Sequence, residues 1–245
     1  MIPFFRESVP YLSTDQMREV DRLMIEIYHI ELIQMMENAG RHLADLARER
    51  FLDGNPQHKQ VAVLAGTGGN GGGALVCARW LRNAGAQVEV LLAAAPEAFT
   101  PVPAHQLDIL LQMGVSVMQA DGITDDEPPE LVIDGLIGYS LKGAPREPIA
   151  NLIRATNAID CPILSLDTPS GLDTATGIAS DPTIRAAATM TLALPKEGLR
   201  HESARSVVGE LYLANISVPP GLYAQPSLGL YVSNLFGTSD IIRIW

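Results

Sequence analysis

Apolar and polar residues alternate along the chain with a spacing that changes from helical to strand-like and back. Near the N-terminus, apolar residues recur every three or four positions, which predicts two amphipathic helices over about 13–27 and 31–49. From residue 61, short apolar runs alternate with helical patterns, and this is typical of a mostly parallel sheet with helices on both faces. The predicted strands are 61–65, 88–94, 115–118, 130–134, 162–167, 189–194 and 210–217. The predicted helices between them are 74–84, 104–113, 148–158 and 183–187.

These elements predict one α/β domain over residues 1–245. It consists of a helical preface at 13–50, an α/β core at about 61–217, and a tail at 219–245 that is interrupted by proline and glycine. Acidic residues and two prolines predict a solvated loop at 125–129. A chain of 245 residues is within the range of a single α/β unit. We expect the tail to pack onto the core or to contact a partner.

The charge, the apolar runs and the cysteine content indicate which partners and which cellular compartment to expect. The net charge of −11 disfavours nucleic acid as a partner, because a nucleic-acid backbone is itself negative. No signal-peptide pattern opens the chain and no apolar run reaches membrane-spanning length, so we expect no membrane partner and a cytoplasmic location. The only cysteines, Cys77 and Cys161, fit reduced core residues in such a compartment.

The most distinctive stretch follows the first strand of the core. Six glycines lie between positions 66 and 73, separated only by Thr67 and Asn70, and a helical pattern begins directly afterwards. A strand, a glycine loop and a helix together direct backbone N–H groups and the positive end of the helix at an anion. A tight turn needs only one or two glycines, so six of them favour a ligand site.

The kind of ligand follows from what the loop lacks. The spacing Gly66-x-Gly68-x-x-Gly71 fits the dinucleotide-binding fingerprint, which is a weak signal by itself. That fingerprint requires an acidic residue at the end of the second strand, but positions 93–96 are three alanines and a proline. No Lys-Ser/Thr pair follows the glycines, as a Walker A loop requires. The pattern disfavours an ordinary NAD-dependent dehydrogenase and indicates a nucleotide-like ligand held in another way.

Two further strands end in a carboxylate, Asp134 and Asp167. Open parallel sheets bind ligands at the carboxyl ends of their strands, so both residues are predicted to lie near the glycine loop. An aspartate that caps its own turn explains either residue equally well when taken alone, but the pair favours a functional site. Asp167 can act there as a general acid or base. The side-chain oxygens of Asn70, Asp134 and Ser170 suit a hard cation rather than zinc.

Several segments together resemble one known family. The glycine loop, the segment after Asp134 and the turn Asp167-Thr-Pro-Ser-Gly171 are similar to those of the YjeF N-terminal domain family, the NAD(P)H-hydrate epimerases. Further similarity lies in 11–21, 36–40, 194–199 and 209–219, so that the resemblance covers roughly residues 11–220. It implies a Rossmann-like three-layer α/β/α sandwich, commonly a homodimer. The reaction of the family interconverts the R and S forms of hydrated NADH or NADPH, whose nicotinamide ring has added water at C6.

The resemblance also implies a role for individual residues. Asp167 would be the catalytic residue that moves a proton as the C6 hydroxyl leaves and returns, and a potassium ion would be held by Asn70, Asp134 and Ser170. The hydrated cofactor would be bound by Gly69, Asn70, Gly71, Gly72, Gly73, Gly138, Tyr139, Ser140, Leu141, Lys142, Gly143, Ala144 and Asp167.

The glycine loop departs from the family pattern Gly-x-Gly-Asn-Asn-Gly-Gly-Asp-Gly. Gly69 replaces the first Asn, Gly73 replaces the Asp, and Ala74 replaces the last Gly. Two polar contacts of about 0.5–1.5 kcal/mol each are thereby lost. We therefore expect binding to be weaker by about tenfold to more than a hundredfold. The alternative function is a weakened or inactive module of this fold that senses nucleotides or binds proteins.

Overall fold

The computed structural model describes residues 1–119 and 128–245, and residues 125–127 of the predicted acidic loop lie outside this range. Its strands are β1 (Gln60–Ala65), β2 (Gln87–Leu92), β3 (Ser116–Gln119), β4 (Leu131–Gly135), β5 (Ile163–Leu166), β6 (Ala188–Leu192), β7 (Glu210–Ala214) and β8 (Ile241–Arg243). They form one sheet in the order β3-β2-β1-β4-β5-β6-β7-β8, parallel throughout except for the antiparallel pair β7 and β8. The predicted mostly parallel sheet is confirmed.

Two helices precede the first strand, and the others lie between strands. The helices are α1 (Thr14–Glu26), α2 (Leu32–Phe51), α3 (Gly69–Asn83), α4 (Pro101–Gln112), α5 (Ile149–Ala158), α6 (Glu202–Val208) and α7 (Pro220–Tyr223), with short 3₁₀ turns at Pro96–Ala98 and Glu197–Arg200. A capping box begins α1, since the Gln16 N–H donates to Ser13 Oγ and the Ser13 N–H donates to the Gln16 side chain. Among the described residues, no helix combines the length and the apolar character needed to cross a bilayer.

Alternate residues of β1 supply the two sides of the core. Val61 and Val63 face one side, where they belong to the same buried cluster as residues of α2, α3 and α4. Ala62 and Leu64 face the other side, where they cluster with Leu152 and its neighbours on α5. Because a parallel strand is buried on both faces, almost every residue of β1 is apolar. This arrangement confirms the expected three-layer α/β/α sandwich.

The direction of the sheet reverses beside β1. The chain runs from β1 outwards to β2 and β3, and then returns to place β4 on the opposite side of β1. The loops that follow β1 and β4 therefore diverge, and a crevice opens at the carboxyl ends of these two strands. In open α/β sheets this crevice is where ligands bind.

The glycine segment differs from the prediction, because α3 begins at Gly69 and not at residue 74. Gly71 approaches the carbonyl of Gly66 so closely that a Cβ there would lie 1.7 Å from the oxygen. A Cβ on Gly72 would lie 2.4 Å from the Met36 sulfur of α2. These two glycines therefore allow α3 to pack tightly, and the low helix propensity of glycine concealed the first turn of the helix from the sequence pattern.

The later part of the chain differs from the predicted elements. The predicted helix at 183–187 is wrong, because the backbone N–H groups of this segment donate to other parts of the chain and not to its own carbonyls. The N–H of Ile184 donates to the Ser170 carbonyl, that of Ala186 to the Val207 carbonyl, and that of Ala187 to the Ile163 carbonyl. Helices α6 and α7 and strand β8 were not predicted. The tail packs onto the core, where β8 forms the edge of the sheet beside β7.

The tight approach of Gly71 to Gly66 predicts a difference between two glycines of α3. Gly71→Ala is expected to lower the free energy of unfolding by about 2 kcal/mol or more, since overpacking costs about 1–3 kcal/mol. Gly69→Ala is the matched control, because nothing lies within 4 Å of the Cβ it would add. Alanine favours a helix, so this variant is expected to be neutral or up to about 1 kcal/mol more stable. Chemical denaturation measures both, and equal effects would contradict the packing role of Gly71.

Candidate active site

A cavity of about 690 Å³ opens at the crevice, between the sheet and helices α1 and α2. Its size is in the range of small-molecule and cofactor sites. Of the predicted ligand-binding residues, the cavity is lined by Gly69, Asn70, Gly73, Gly138, Tyr139, Ser140 and Asp167. Another cavity of about 630 Å³ lies near the amino ends of β1 and β2, and none of the predicted site residues lines it.

The remaining predicted residues lie elsewhere. Gly71 and Gly72 are buried in the packing of α3. Leu141, Lys142, Gly143 and Ala144 continue the segment that begins at Gly138, but they do not line the cavity. The structure therefore brings together both ends of the predicted segment 69–73 and the first three residues of the predicted segment 138–144.

The N-terminus of α3 forms one side of the cavity. Gly68 is its N-cap, and no acidic side chain occupies the first turn. The first N–H groups of a helix have no partner within the helix and carry partial positive charge, so they favour an anion such as a phosphate. This backbone site does not depend on a lysine or arginine.

The two departures from the family's loop pattern differ in the space around them. A Cβ on Gly69 would have nothing within 4 Å, so an asparagine there would extend into open space. A Cβ on Gly73 would lie 2.7 Å from Cδ2 of Leu166, so an aspartate there would require Leu166 to move. The Leu166 side chain, at the end of β5, thus occupies the space that a polar side chain at position 73 would need.

Asp167 directly follows β5 and is nearly buried, with 4% of its surface exposed. Its φ of +66° is in the left-handed region, which is rare for a residue with a side chain and often occurs at functional sites. The backbone N–H donates to the Met190 carbonyl at 2.7 Å, which fixes the turn. The carboxylate accepts hydrogen bonds from the Tyr139 N–H, at 3.2 Å, and from Lys196 Nζ.

Lys196 is the main functional candidate that the sequence analysis did not select. It is completely buried and also donates to the Leu192 carbonyl at 3.0 Å. A buried ammonium group needs a counter-charge, and Asp167 supplies it. β5 and β6 are neighbours, so residues that follow their carboxyl ends meet. The available signal was a lysine two positions after the end of the predicted strand 189–194.

A second acidic side chain reaches the cavity from α1. Tyr139 Oη donates a hydrogen bond of 2.6 Å to Asp21 Oδ2. Burial raises the pKa of Asp21, and the hydrogen bond from Tyr139 partly opposes this rise. The sequence pattern placed Asp21 on an amphipathic helix but gave no reason to select it, because its partner lies more than a hundred residues away.

Asp134 lies at the end of β4 and is completely buried. One carboxylate oxygen accepts bonds from Ser170 Oγ at 2.6 Å and the Leu136 N–H at 3.2 Å. The other accepts bonds from Ser165 Oγ at 2.8 Å and the Ser170 N–H at 2.9 Å. Burial raises the pKa of Asp134, and these bonds oppose the rise. Asp134 and Ser170, predicted to share an ion, are therefore in direct contact.

The three predicted potassium ligands fit a hard cation. Asp134 has no cationic partner among the described residues, so its charge is left for an ion. Asn70 would contribute its Oδ1, because its buried Nδ2 is a hydrogen-bond donor and cannot bind a cation. Asn70 is close to both β4 and Asp167. A Cβ on Gly135 of β4 would lie 3.2 Å from the Asn70 carbonyl oxygen, and a Cβ on Gly138 would lie 3.4 Å from both the Asn70 side chain and Asp167 Oδ2. Since Asp134 already accepts four hydrogen bonds, an ion bound to it would replace one of them.

The buried pair Asp167–Lys196 predicts strong coupling between two substitutions. Lys196→Met alone is expected to lower the free energy of unfolding by about 3–5 kcal/mol, because it leaves a buried carboxylate without its counter-charge. The double variant Asp167→Asn/Lys196→Met is expected to lose much less than the sum of the two single variants. Denaturation of all four proteins measures the coupling. Additive losses would show that the pair does not act as a unit.

Comparisons with known proteins agree with this geometry. Residues 32–198 match the family model described as YjeF-related protein N-terminus. A protein of Dehalogenimonas lykanthroporepellens named NAD(P)H-hydrate epimerase is 39% identical over 91% of this chain and 88% of its own length. One of the same name from Rhodopirellula baltica is 33% identical over 90% of this chain and 89% of its own.

Two further comparisons concern length and fold. The Bifunctional NAD(P)H-hydrate repair enzyme Nnr of Salinibacter ruber is 34% identical over 86% of this chain, and this chain covers 41% of its length. The crystal structure of the yeast protein YNL200c superposes with a TM-score of 0.78 at 28% identity, covering 96% of this chain and all of the yeast chain.

Proposed function

The chain belongs to the family of YjeF-related protein N-termini, and we propose that it is an NAD(P)H-hydrate epimerase. Its substrate is NADH or NADPH whose nicotinamide ring carries a hydroxyl at C6, and its product is the opposite epimer. The observation that carries this proposal is the buried pair Asp167–Lys196, which lies in the same cavity as the N-terminus of α3.

Different walls of the cavity suit different parts of the hydrated cofactor. The N–H groups at the start of α3 suit the pyrophosphate of the cofactor, since both its charge and its acceptor oxygens match them. Apolar residues on the wall formed by α2, including Met35 and Met36, suit the partly saturated nicotinamide ring. Ala93 and Ala94 follow β2, where a dehydrogenase would hold the ribose with an acid, so the ribose is bound differently here.

The chemical step is a reversible loss of the hydroxyl. The C6–O bond breaks with its electrons going to oxygen, and the lone pair of ring nitrogen N1 forms a C=N bond to C6. A proton passes from the Asp167–Lys196 pair to the departing hydroxide, which becomes water. Water then adds to either face of C6, and the pair takes the proton back, so no net charge or atom is consumed. Residues around the pair limit access of bulk water.

A potassium ion is proposed as the cofactor, held by Asn70, Asp134 and Ser170. The support is the buried Asp134 carboxylate, which has no cationic partner among the described residues, and its contact with the Ser170 hydroxyl. When bound, the ion would supply positive charge beside the cavity and offset the Asp134 carboxylate.

A cytoplasmic location and a homodimer are proposed as well. Support for a homodimer comes from apolar side chains exposed around the turn between α1 and α2, where Ile25, Ile27, Leu32 and Ile33 are accessible. Exposed apolar residues grouped in this way are typical of protein interfaces.

The test of the enzymatic proposal uses purified protein and the R form of hydrated NADH. The wild type is expected to convert it to the S form faster than the spontaneous reaction. Asp167→Asn is expected to lower kcat/KM by about 10²–10⁴, the usual contribution of a general acid–base group. Chromatography of the two epimers measures the rates.

Asp108→Asn on α4 is the matched control, because Asp108 is exposed and outside the cavity, and it is expected to behave as the wild type. No rate above the spontaneous one, with or without potassium, would overturn the enzymatic function. Saturable binding of the hydrated cofactor in that case would support a nucleotide-sensing module.

The potassium proposal has a readout that does not require activity. Potassium chloride is expected to raise the unfolding midpoint of the wild type more than tetramethylammonium chloride does, because an ion that binds only the folded state stabilises it. Asn70→Ala is expected to weaken ion binding by about tenfold, the cost of about 1–1.5 kcal/mol for one lost contact. An identical response to both salts in the wild type would contradict the site.

A further inference from the structure

We propose that Asp21, oriented by Tyr139, binds the carboxamide of the nicotinamide ring and makes the site selective for this amide over the corresponding acid. The inference rests on the proposed function and adds a specificity-determining residue to it. Asp21 belongs to α1, which lies outside the α/β core.

Tyr139 links Asp21 to the reacting position. Its backbone N–H donates to Asp167 at 3.2 Å, and its side-chain hydroxyl donates to Asp21 at 2.6 Å. Its carbonyl accepts a hydrogen bond of 3.1 Å from Thr174 Oγ1, so the residue is held at both ends. Asp21 and Asp167 both line the cavity, and one residue fixes their relative position.

Asp21 has one oxygen available for a ligand. Oδ2 accepts the hydrogen bond from Tyr139, whereas Oδ1 accepts none from any residue that the structure describes. The nearby charged groups are the Lys196 ammonium and the Asp167 carboxylate, which are already paired with each other. An ionised carboxylate only accepts hydrogen bonds, so the group that binds Oδ1 must be a donor.

The chemistry of the substrate identifies that donor. A ring that presents C6 to Asp167 carries its carboxamide on C3, the carbon across the ring from C6. The NH₂ of the carboxamide is the donor that projects from this end of the ring, and Asp21 lies on the far side of Tyr139 from Asp167. A bond from this NH₂ to Asp21 would fix the ring with C6 toward the acid–base pair.

This contact predicts discrimination between two substrates that differ in one group. In the deamidated cofactor a carboxylate replaces the carboxamide, so it offers no donor and places a negative charge against Asp21. Sites built around a polar partner reject analogues that lack it by large factors. We expect the wild type to prefer the amide by at least about 100-fold in kcat/KM, which corresponds to about 2.7 kcal/mol.

The experiment compares hydrated NADH with hydrated deamido-NADH, the nicotinic acid form, as substrates of each protein. Asp21→Asn preserves shape but can donate as well as accept, so the preference for the amide is expected to fall below about tenfold, mainly through a gain on the acid substrate. Tyr139→Phe keeps the ring and the backbone contacts but releases Asp21, and an intermediate preference is expected.

Asp15→Asn is the matched control, because Asp15 is an exposed residue of the same helix and is not in the cavity. It is expected to keep the preference of the wild type. The ratio of the two substrates also separates specificity from a structural role, since a loosened α1 would slow both reactions alike. Unfolding midpoints check that each variant folds.

The outcomes separate the two proposals. If the wild type converts neither substrate, the proposed function fails. If the wild type is active but Asp21→Asn keeps its full preference for the amide, only the assignment of Asp21 fails. A wild type that converts both substrates equally well would also overturn this assignment.

Discussion

The buried ion pair between Asp167 and Lys196 is the interaction on which the site depends. Lys196 has no exposed surface, and its ammonium group would be strongly destabilised there without a counter-charge. The pair forces the turns after β5 and β6 to stay together, and it places a group that can exchange a proton at the bottom of a cavity. The left-handed backbone at Asp167 is the local cost of this arrangement. The same contact thus constrains the fold and supplies the proposed chemistry.

The glycines of α3 serve two purposes that the sequence does not separate. Gly71 and Gly72 allow α3 to pack against the loop after β1 and against α2, whereas Gly69 and Gly73 border the cavity. In this chain glycine stands at the two positions beside the cavity, 69 and 73, where the family pattern has polar residues, whereas the two glycines that allow close packing are present. The anion site at the start of α3 depends on backbone geometry, so it survives changes that remove side-chain contacts. This distinction explains how the loop can depart from the family pattern and still form a cavity.

Much of the fold was predictable because it is encoded locally. Strand β1 is a run of apolar residues, the capping box at Ser13 is a four-residue pattern, and an aspartate directly follows β5, so each is visible within a few positions. The start of α3 was missed because glycine propensity is overridden by close packing. The absent helix at 183–187 reflects backbone hydrogen bonds to a loop, to β5 and to α6, all of which are separate segments of the chain. Lys196 and Asp21 were not selected for a similar reason: their significance depends on partners that only the folded sheet brings close.

The way in which α1 is held has a practical consequence. Val20, Leu23 and Met24 belong to the same buried cluster as Leu222 and Leu228 of the C-terminal tail, so the wall that carries Asp21 is supported by the tail. Helix α1 and the C-terminal tail therefore stabilise each other beside the cavity. Removal of the tail segment that contains Leu222 and Leu228 would therefore weaken the wall that carries Asp21, although neither leucine lines the cavity.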